Sequence, residues 1–401
     1  MDQESVHADI AIIGGGIAGL WLLNRLCKEG YNAVLFEERA LGSFQTVASQ
    51  GMIHGGIKYT LGGALSGASE AIADMPEHWR RCLQGEGDVD LSSAQTLSDH
   101  FYMFSSASAT SKMTTFLASK ATRGRVEKVK AKDRPGLFQN DRFNGSLYKL
   151  VDMVLDVPSV VQALANNCRG RLFQVDWSTD RLNKNSDGTV SLQFGNGTQL
   201  HCKRVILSAG QGNEALLQTL KVDSPRMQRR PLQQVMVKHN YPHRFYGHCL
   251  GAEKTPRLTI SSHPCADGSQ VWYLGGSLAE RSVGKPADKV IDDAKRELAD
   301  LLPWVDLGED ARWATLNIDR AEPLQRNFAR PDKAYVAAAK GCDNVLVAWP
   351  TKLTLSPNLA TETLALLAES GVTPTSGAEI PALDFLPVPP VSETPWEHAF
   401  D

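Results

Sequence analysis

The chain lacks the features that mark membrane, secreted and nucleic-acid-binding proteins. Its seven cysteines are scattered and form no Cys-x-x-Cys pair, so we expect reduced thiols and no disulfide framework. The net charge of -3 excludes a strong basic field that would attract nucleic acid. The apolar run at residues 10–23 is interrupted by glycines and follows acidic residues, unlike a signal peptide or a membrane span. We therefore predict a cytoplasmic protein that binds no nucleic acid and has no integral membrane segment.

The remaining composition is that of an ordinary globular chain. With 401 residues, of which 42% are hydrophobic and 22% charged, the chain is long enough for two domains or for one interrupted domain. Low complexity is confined to a proline-rich tail at residues 373–401, which we expect to be extended. Trp396 and Phe400 would anchor this tail, either on its own domain, which is the commoner case, or on a partner protein.

The first forty residues read as a strand, a tight turn, a helix and a second strand. The apolar run at residues 8–13 is followed by Gly-Gly-Gly-Ile-Ala-Gly, and apolar positions then recur at helical spacing up to Gly30. A second apolar run, at residues 32–36, ends at Glu37. A strand-helix-strand unit of this kind predicts a parallel sheet, because its crossover is right-handed.

The glycine spacing in this unit predicts a dinucleotide site. One glycine permits the tight turn, the next allows backbone N–H groups to approach a pyrophosphate, and the third allows close helix packing. An acidic residue at the end of the second strand is placed to bind the adenosine ribose. The predicted contacts are Ile13, Gly14, Gly16, Ile17, Gly19, Glu37 and Glu38. The motif by itself does not choose between FAD and NAD.

A second glycine pair, Gly210-Gln211-Gly212, also follows an apolar strand. It lacks a matching acidic residue at the end of a following strand. We interpret it as the end of a sheet strand that touches the same dinucleotide, which leaves no separate NAD(P)H site.

The rest of the chain predicts an α/β fold with a Rossmann-like dinucleotide-binding domain that is interrupted in sequence. Residues 1–75, 150–222 and 335–372 are assigned to it. Residues 76–149 and 223–334 are assigned to an α+β substrate domain, built on an antiparallel sheet with one covering helix.

Four segments together resemble the D-amino-acid-oxidase (DAO) superfamily of FAD-dependent oxidoreductases. They are residues 12–19, 49–59, 205–210 and 352–357. The sequence Ile-His-Gly-Gly-Ile-Lys-Tyr at residues 53–59 and the sequence Thr-Lys-Leu-Thr-Leu at residues 351–355 are most similar to motifs of FAD-dependent glycerol-3-phosphate dehydrogenase. FAD-dependent 2-hydroxyglutarate dehydrogenases have a related histidine loop. The resemblance implies FAD as the cofactor.

The resemblance also implies further contacts with FAD. In such families the segment after the first glycine motif runs under the pyrophosphate and flavin, one backbone position contacts adenine, and a late loop closes over the pyrimidine edge of the flavin. Carried over to this chain, these positions are Ser49, Gln50, Gly51, Arg181, Ala209, Gly210, Pro350, Lys352, Leu353 and Thr354.

Four residues are candidates for catalysis. A substrate that loses a hydride from C–H also loses a proton, and His54 is the best proton acceptor by position, although a structural histidine is as common. Lys352 would stabilise the negative charge of a reduced flavin. Lys58, Tyr59 and Lys352 could equally hold a carboxylate or phosphate of the substrate, or Lys58 could be a solvated loop lysine. The spacing of the histidines and cysteines predicts no metal site.

The chain departs from the dehydrogenase pattern at three places. Where that pattern reads Ala-Gly-Leu-Arg-Pro-Leu, this chain has Asp319-Arg-Ala-Glu322-Pro-Leu, so an acidic side chain replaces the anchoring arginine. Thr351 replaces the glycine before the late lysine, and Gln233 precedes Gln234 where the pattern has glycine. These departures disfavour glycerol 3-phosphate itself as the substrate.

Two functions remain from the sequence. The first is an FAD-dependent dehydrogenase or oxidase that takes a hydride from a C–H beside an alcohol or amine of a small polar, anionic substrate. Its electrons would pass to oxygen, a quinone or a protein carrier. The second is a flavin-binding protein with a structural, assembly or regulatory role and no small-molecule turnover.

Overall fold

Two large β-sheets organise the molecule, which we describe from a computed structural model at residues 5–56, 72–105, 126–251, 255–375 and 382–400. The strands of the described part are β1 Ser5–Ile13, β2 Ala33–Glu37, β3 Met52–Ile53, β4 Thr96–Ser98, β5 Phe101–Ser105, β6 Val126–Lys128, β7 Ser146–Leu150, β8 Met153–Leu155, β9 Leu172–Gln174, β10 Arg181–Lys184, β11 Val190–Gln193, β12 Gln199–Leu207, β13 Met227–His239, β14 Tyr246–Leu250, β15 Leu258–Pro264, β16 Gln270–Gly275, β17 Arg312–Pro323, β18 Tyr335–Ala338 and β19 Val345–Trp349.

The helices alternate with these strands in the first and last thirds of the chain. Those of the described part are α1 Ile17–Lys28, α2 Met75–Leu83, α3 Val157–Asn167, α4 Gly212–Thr219, α5 Ser277–Arg281, α6 Ala287–Leu301, α7 Ser356–Glu369 and α8 Pro395–His398. None of the helices in the described ranges combines the length and the apolar character needed to cross a membrane.

The first sheet corresponds to the predicted dinucleotide-binding sheet; its central strands are parallel as predicted, whereas β10-β11 and β11-β12 are antiparallel. Its order is β10-β11-β12-β1-β2-β9, with β19 parallel to β12 and β18 antiparallel to β19. β1 lies between β2 and β12 and is parallel to both. Residues 10–13 of β1 are buried, as expected for a strand covered on both faces. Helices α1, α3 and α7 supply the core on one face, with Trp21 and Leu359 among the buried residues.

The second sheet has the order β17-β13-β16-β15-β14-β5-β7-β6. Helix α6 covers one face and buries Val290, Ala294 and Leu298 against it. The sheet is antiparallel as predicted except for one pair, since β5 and β14 run parallel. The two strands are far apart in sequence, so no tight hairpin imposes an antiparallel pairing on them.

The sequence interpretation missed one long strand. β17 spans twelve residues and pairs with β13 along its whole length, from Met227 opposite Pro323 to Lys238 opposite Arg312. Its charged residues conceal the alternation that marks a half-buried strand.

The division into domains stays a proposal, and one helix bears on its first boundary. α2 falls in the segment assigned to the substrate domain, yet Trp79 and Cys82 pack in the core beneath the parallel sheet. The short sheet β3-β8-β4 also spans this boundary, because β4 belongs to the segment assigned to the substrate domain and β3 and β8 belong to the dinucleotide-binding segments.

The proline-rich tail lies over its own chain in the described residues 382–400. The N–H of Leu41 donates to the Pro390 carbonyl at 2.7 Å, and the N–H of Ser392 donates to the Leu41 carbonyl at 2.9 Å. Trp396 and Phe400 are buried beside Tyr273 of the second sheet. The two aromatic residues therefore anchor the tail internally.

Candidate active site

A cavity of about 680 Å³ lies between the two sheets. Its walls include Ile13 and Glu37, at the carboxyl ends of parallel strands, and Gln234 and Arg320 from the second sheet. Ligands of open α/β sheets bind at the carboxyl ends of the strands. The cavity is therefore the candidate active site.

The glycine turn after β1 is packed too tightly for any other residue. Gly14 has φ +111°, and a Cβ atom there would lie 2.6 Å from the Cα of Ala209. A Cβ atom on Gly19 would lie 1.9 Å from the Gly14 carbonyl oxygen. These contacts bring the start of α1 against the end of β12, so that Gly14 and Gly210 line one cavity.

The N-terminus of α1 opens onto this cavity. Gly16 is the N-cap and makes no side-chain capping bond, and the N–H of Ile17 donates to Thr46 Oγ1 at 3.1 Å. Gly16, Ile17 and Thr46 all line the cavity. A helix N-terminus with exposed N–H groups favours the negative charge of a pyrophosphate.

Glu37 is held at the opposite side of the glycine turn. Its carboxylate accepts the Gly15 N–H at 2.6 Å and the Arg39 N–H at 2.9 Å, and burial raises its pKa. Trp177 and Arg181 line the cavity as well. An acidic residue beside aromatic and cationic side chains suits the ribose and adenine of a dinucleotide.

The loop after β19 forms another wall. Thr351 adopts a left-handed conformation with φ +61°, which is unusual for a β-branched residue, and its hydroxyl donates to the Lys333 carbonyl at 3.0 Å. Threonine thus keeps the backbone conformation that a glycine would adopt here. The replacement noted in the sequence leaves the shape of this loop compatible with the family pattern.

Lys352 lies on the cavity wall and is largely buried. Its Nζ donates to the Pro331 carbonyl at 3.1 Å. Burial, together with the nearby Arg330 guanidinium, lowers the pKa of Lys352 to about 8. The side chain is therefore a cation that a bound anion would strongly favour.

Glu322, the acidic residue at the anchor position of the family pattern, does not present its negative charge to the cavity. Its carboxylate forms a bidentate ion pair with Arg230, with both N–O distances at 2.6 Å. The residue that reaches the cavity is Arg320, two positions earlier on β17. Burial, together with Arg230 and Arg330, lowers the pKa of Arg320 to about 10.

His54 is buried beside a carboxylate. Its Nδ1 lies 3.1 Å from Asp152 Oδ2, and the other oxygen of Asp152 accepts the Gly55 N–H at 3.1 Å. The backbone N–H of His54 donates to Thr354 Oγ1 at 3.1 Å, and the Thr354 hydroxyl donates to the Met52 carbonyl. His54 therefore joins the segment after β3 to the loop after β19.

The structure brings most of the predicted residues to one cavity and leaves others behind it. Those that line it are Ile13, Gly14, Gly16, Ile17, Glu37, Glu38, Ser49, Gln50, Arg181, Ala209, Gly210, Pro350, Lys352 and Leu353. Gly19, Gly51, Thr354 and His54 do not line it; they support its walls. Lys58 and Tyr59 lie outside the residues that the structure describes.

The sequence interpretation passed over several residues that the structure places at or beside the cavity. They are Thr46, Trp177, Gln234, Arg320 and Asp152. Arg320 carried a readable signal, since it is a cation two residues from the anchor position of the family pattern. The others had none, because each meets the site through a contact distant in sequence.

The fold and the cavity are those of a dinucleotide-binding protein with two large sheets. A sequence model of the DAO family, described as FAD dependent oxidoreductase, matches residues 9–351. The chain belongs to this family of FAD-dependent oxidoreductases, and its cofactor is FAD.

Individual relatives agree with this membership. The chain is 47% identical over 399 residues to a probable FAD-dependent oxidoreductase of Pseudomonas aeruginosa, covering 99% of each. A crystal structure of an FAD dependent oxidoreductase from P. aeruginosa has a TM-score of 0.84, with 42% identity and 100% of each chain covered. Glycine oxidase from Geobacillus kaustophilus shares the fold, with a TM-score of 0.66, 14% identity and coverage of 94% of this chain and 97% of that one.

The residues of this chain fit FAD. Gly14, Gly16, Glu37 and Lys352 all line the cavity, where they would hold the pyrophosphate, the ribose and the pyrimidine edge of FAD. Gln50 and Gln234 come from different parts of the fold and complete the walls between the sheets. A long ligand in the cavity can therefore contact both sheets.

Proposed function

We propose that this oxidoreductase removes a hydride from a C–H beside an alcohol or amine of a small anionic substrate. The observation that carries the proposal is the cationic wall formed by Arg320 and Lys352. Both residues line the cavity, and both have pKa values lowered chiefly by burial and next by neighbouring cations. An anionic group bound between them would relieve that repulsion.

The charge balance at this wall favours an anion. The nearest buried carboxylate, Glu322, is only 2% exposed and is paired with Arg230, so it presents little negative charge to the cavity. Glu280 lies between Arg330, at 3.3 Å, and Arg320, at 3.9 Å. Asp332 also lies near Lys352. The group then has one positive charge in excess, from three carboxylates (Glu280, Glu322 and Asp332) and four cations (Arg230, Arg320, Arg330 and Lys352).

The substrate also loses a proton from its O–H or N–H, and this proton leaves to solvent in this proposal. His54 supports the cavity wall and does not line it, so it has a structural role there. Its Nδ1 lies 3.1 Å from Asp152 Oδ2, and Asp152 therefore positions the imidazole ring.

The chemistry that bound FAD supplies is acceptance of the hydride at N5. Lys352 would hold positive charge beside the bound cofactor, and Arg320 would bind and orient the substrate anion. Oxygen, a quinone or a protein carrier would accept the electrons, and reoxidation in the presence of each acceptor distinguishes these routes.

The test is anaerobic reduction of the holoenzyme by a panel of 2-hydroxy acids, amino acids and polyol phosphates, followed by visible absorption. We expect one anionic class to bleach the flavin. Arg320→Met should then raise KM and lower kcat/KM by about 10- to 100-fold, the loss expected for a charged hydrogen bond, with FAD still bound. Arg320→Lys should recover part of the loss.

Arg229→Met is the matched control, because Arg229 lies on the neighbouring strand, is exposed and does not line the cavity. Bleaching by neutral compounds alone, or an Arg320→Met variant with unchanged KM, would refute the anionic substrate. A yellow protein that dithionite reduces but no compound bleaches would favour the structural or regulatory role instead.

A further inference from the structure

We propose that His78, Cys82 and Asp88 form a binding site for a divalent cation of the zinc class. The three residues lie on α2 and on the loop that follows it. None of them lines the flavin cavity, and the site is separate from the proposed reaction. It also departs from the sequence prediction, which found no metal-binding pattern.

The geometry brings three donor atoms together. His78 and Cys82 are four residues apart on α2 and so share one face of the helix. Asp88 Oδ1 lies 2.7 Å from His78 Nε2 and 3.2 Å from Cys82 Sγ. All three donor atoms lie within 4.8 Å of one another.

The loop is held over the thiol by its close packing on Cys82 and by contacts with the backbone. A Cβ atom on Gly87 would lie 2.3 Å from Cys82 Sγ, so this approach requires glycine. Lys28 Nζ donates to the Gly87 carbonyl at 2.8 Å, and the Leu91 N–H donates to the Cys82 carbonyl at 2.9 Å. The donor positions are therefore built into the fold before any ion arrives.

The donor set suits zinc. Imidazole nitrogen, thiolate sulfur and carboxylate oxygen are its usual ligands, at about 2.0–2.3 Å, and tetrahedral angles at such lengths separate the donors by roughly 3.4–3.6 Å. The two distances from the Asp88 oxygen, 2.7 and 3.2 Å, would each lengthen by a few tenths of an ångström, and His78 and Cys82, whose donor atoms lie within 4.8 Å, would adjust to the same separation. The side chains of His78 and Asp88 are 34% and 14% exposed, so water can supply a fourth ligand.

The charges also balance. A doubly charged cation with one thiolate and one carboxylate is neutral, which a largely buried site requires. The nearby cations are already engaged, since Arg25 pairs with Glu29 at 2.9 Å and Lys28 holds the Gly87 carbonyl. They therefore add little repulsion to a cation whose charge is balanced by one thiolate and one carboxylate.

Binding exchanges a proton for the metal. The Cys82 thiol donates a hydrogen bond to Asp88 Oδ1 at 3.2 Å, so it carries its proton before the metal arrives. The cation forms a bond to Sγ, the S–H bond breaks, and the proton leaves to solvent. One proton is therefore released per ion, and no redox change occurs.

The alternative is a hydrogen-bonded triad that binds no metal, and titration of the FAD-loaded enzyme with Zn²⁺ at pH 8 separates the two. We expect one Zn²⁺ per chain and release of about one proton, measured by calorimetry in buffers of different ionisation enthalpy. Co²⁺ should give tetrahedral d–d absorption at wavelengths beyond the flavin bands. A titration that does not saturate at one equivalent of Zn²⁺ per chain would overturn the proposal, and so would Zn²⁺ binding without proton release.

Variants identify the ligands. His78→Ala and Asp88→Asn should each weaken Zn²⁺ binding by more than about tenfold, because even outer-shell changes cost that much. His100→Ala is the matched control, since His100 also pairs with an aspartate, Asp99, but has no thiol beside it. Cys82→Ser should abolish the proton release, and Cys265→Ser should leave it unchanged. Retained affinity in His78→Ala and Asp88→Asn would show that Zn²⁺ binds elsewhere.

Discussion

Lys352 shows how burial and a neighbouring cation prepare a side chain for a role in anion binding. The lysine lies in a loop whose preceding residue, Thr351, is held in a left-handed conformation, and it stands in the cavity wall close to Arg330. Its ammonium group is therefore the least stable cation of the wall. A bound anion would therefore stabilise the charged form of Lys352.

Anion affinity should consequently fall as the pH rises through the pKa of Lys352, about 8. Above that value the ammonium loses its proton, whereas Arg320, with a pKa of about 10, stays charged. We expect a loss of about tenfold between pH 7 and pH 9.5 in the affinity for acetate or inorganic phosphate, the loss of one charged hydrogen bond. Flavin difference spectra of the holoenzyme measure it.

Lys352→Met should remove this dependence and Lys352→Arg should shift it above pH 10. Glycerol, an uncharged ligand, serves as the control. A flat profile in the unmodified enzyme between pH 7 and pH 9.5 would contradict the role of Lys352.

The pairing of β13 with β17 decides which charges meet at the wall. In this register Arg230 stands directly opposite Arg320. Glu322 stands opposite Gln228, which makes Glu322 a diagonal neighbour of Arg230 across the two strands. Like charges directly opposite on a sheet repel. The bidentate pair between Glu322 and Arg230 offsets that repulsion, so Arg320 can remain at the cavity.

Glu322→Gln should therefore destabilise the protein. It leaves the guanidinium of Arg230 half-paired beside Arg320, and removal of one partner from a buried ion pair costs about 3–5 kcal/mol. Urea unfolding with saturating FAD measures the change in the free energy of unfolding. Glu214→Gln is the control, because its ion pair with Arg229 is exposed on both sides and should contribute less than about 1 kcal/mol. Equal effects of the two variants would contradict the structural role of Glu322.

At the scale of the whole molecule, the C-terminal tail contacts both the loop after β2 and the second sheet. The tail pairs at Val391 with Leu41, in the loop after β2, and packs on the second sheet at Trp396, whose ring lies 4.4 Å from that of His263. Ser261 bonds His263 at 2.9 Å, and Gln50 donates to Ser261 at 3.2 Å. A polar chain thus connects the tail to Gln50 at the cavity.

Trp396→Ala should lower the free energy of unfolding by about 3 kcal/mol or more, the cost of removing a buried aromatic side chain. Trp396 is 5% exposed. Phe328→Ala, which changes an aromatic residue that is 69% exposed, should change it by less than about 0.5 kcal/mol. A small effect of Trp396→Ala would favour a tail that docks on a partner protein.

The sequence by itself determined the parallel strand-helix-strand unit, its glycine turn and Glu37. These features depend on neighbours along the chain: apolar spacing sets the elements, and the close contacts of Gly14 and Gly19 follow from one local turn. The family, the cofactor and the two-sheet plan were predictable for the same reason, because short motifs carry them.

The positive charge of the cavity wall at Arg320 depends on tertiary contacts that the sequence does not reveal. Glu322 reads as an acidic anchor in the sequence, but strand register pairs it with Arg230, 92 positions away, and leaves Arg320 at the cavity. Asp152 reaches His54 across 98 positions, and Asp88 folds back onto His78 and Cys82 around Gly87. Such contacts depend on how distant segments pack, and no local periodicity or motif encodes that packing.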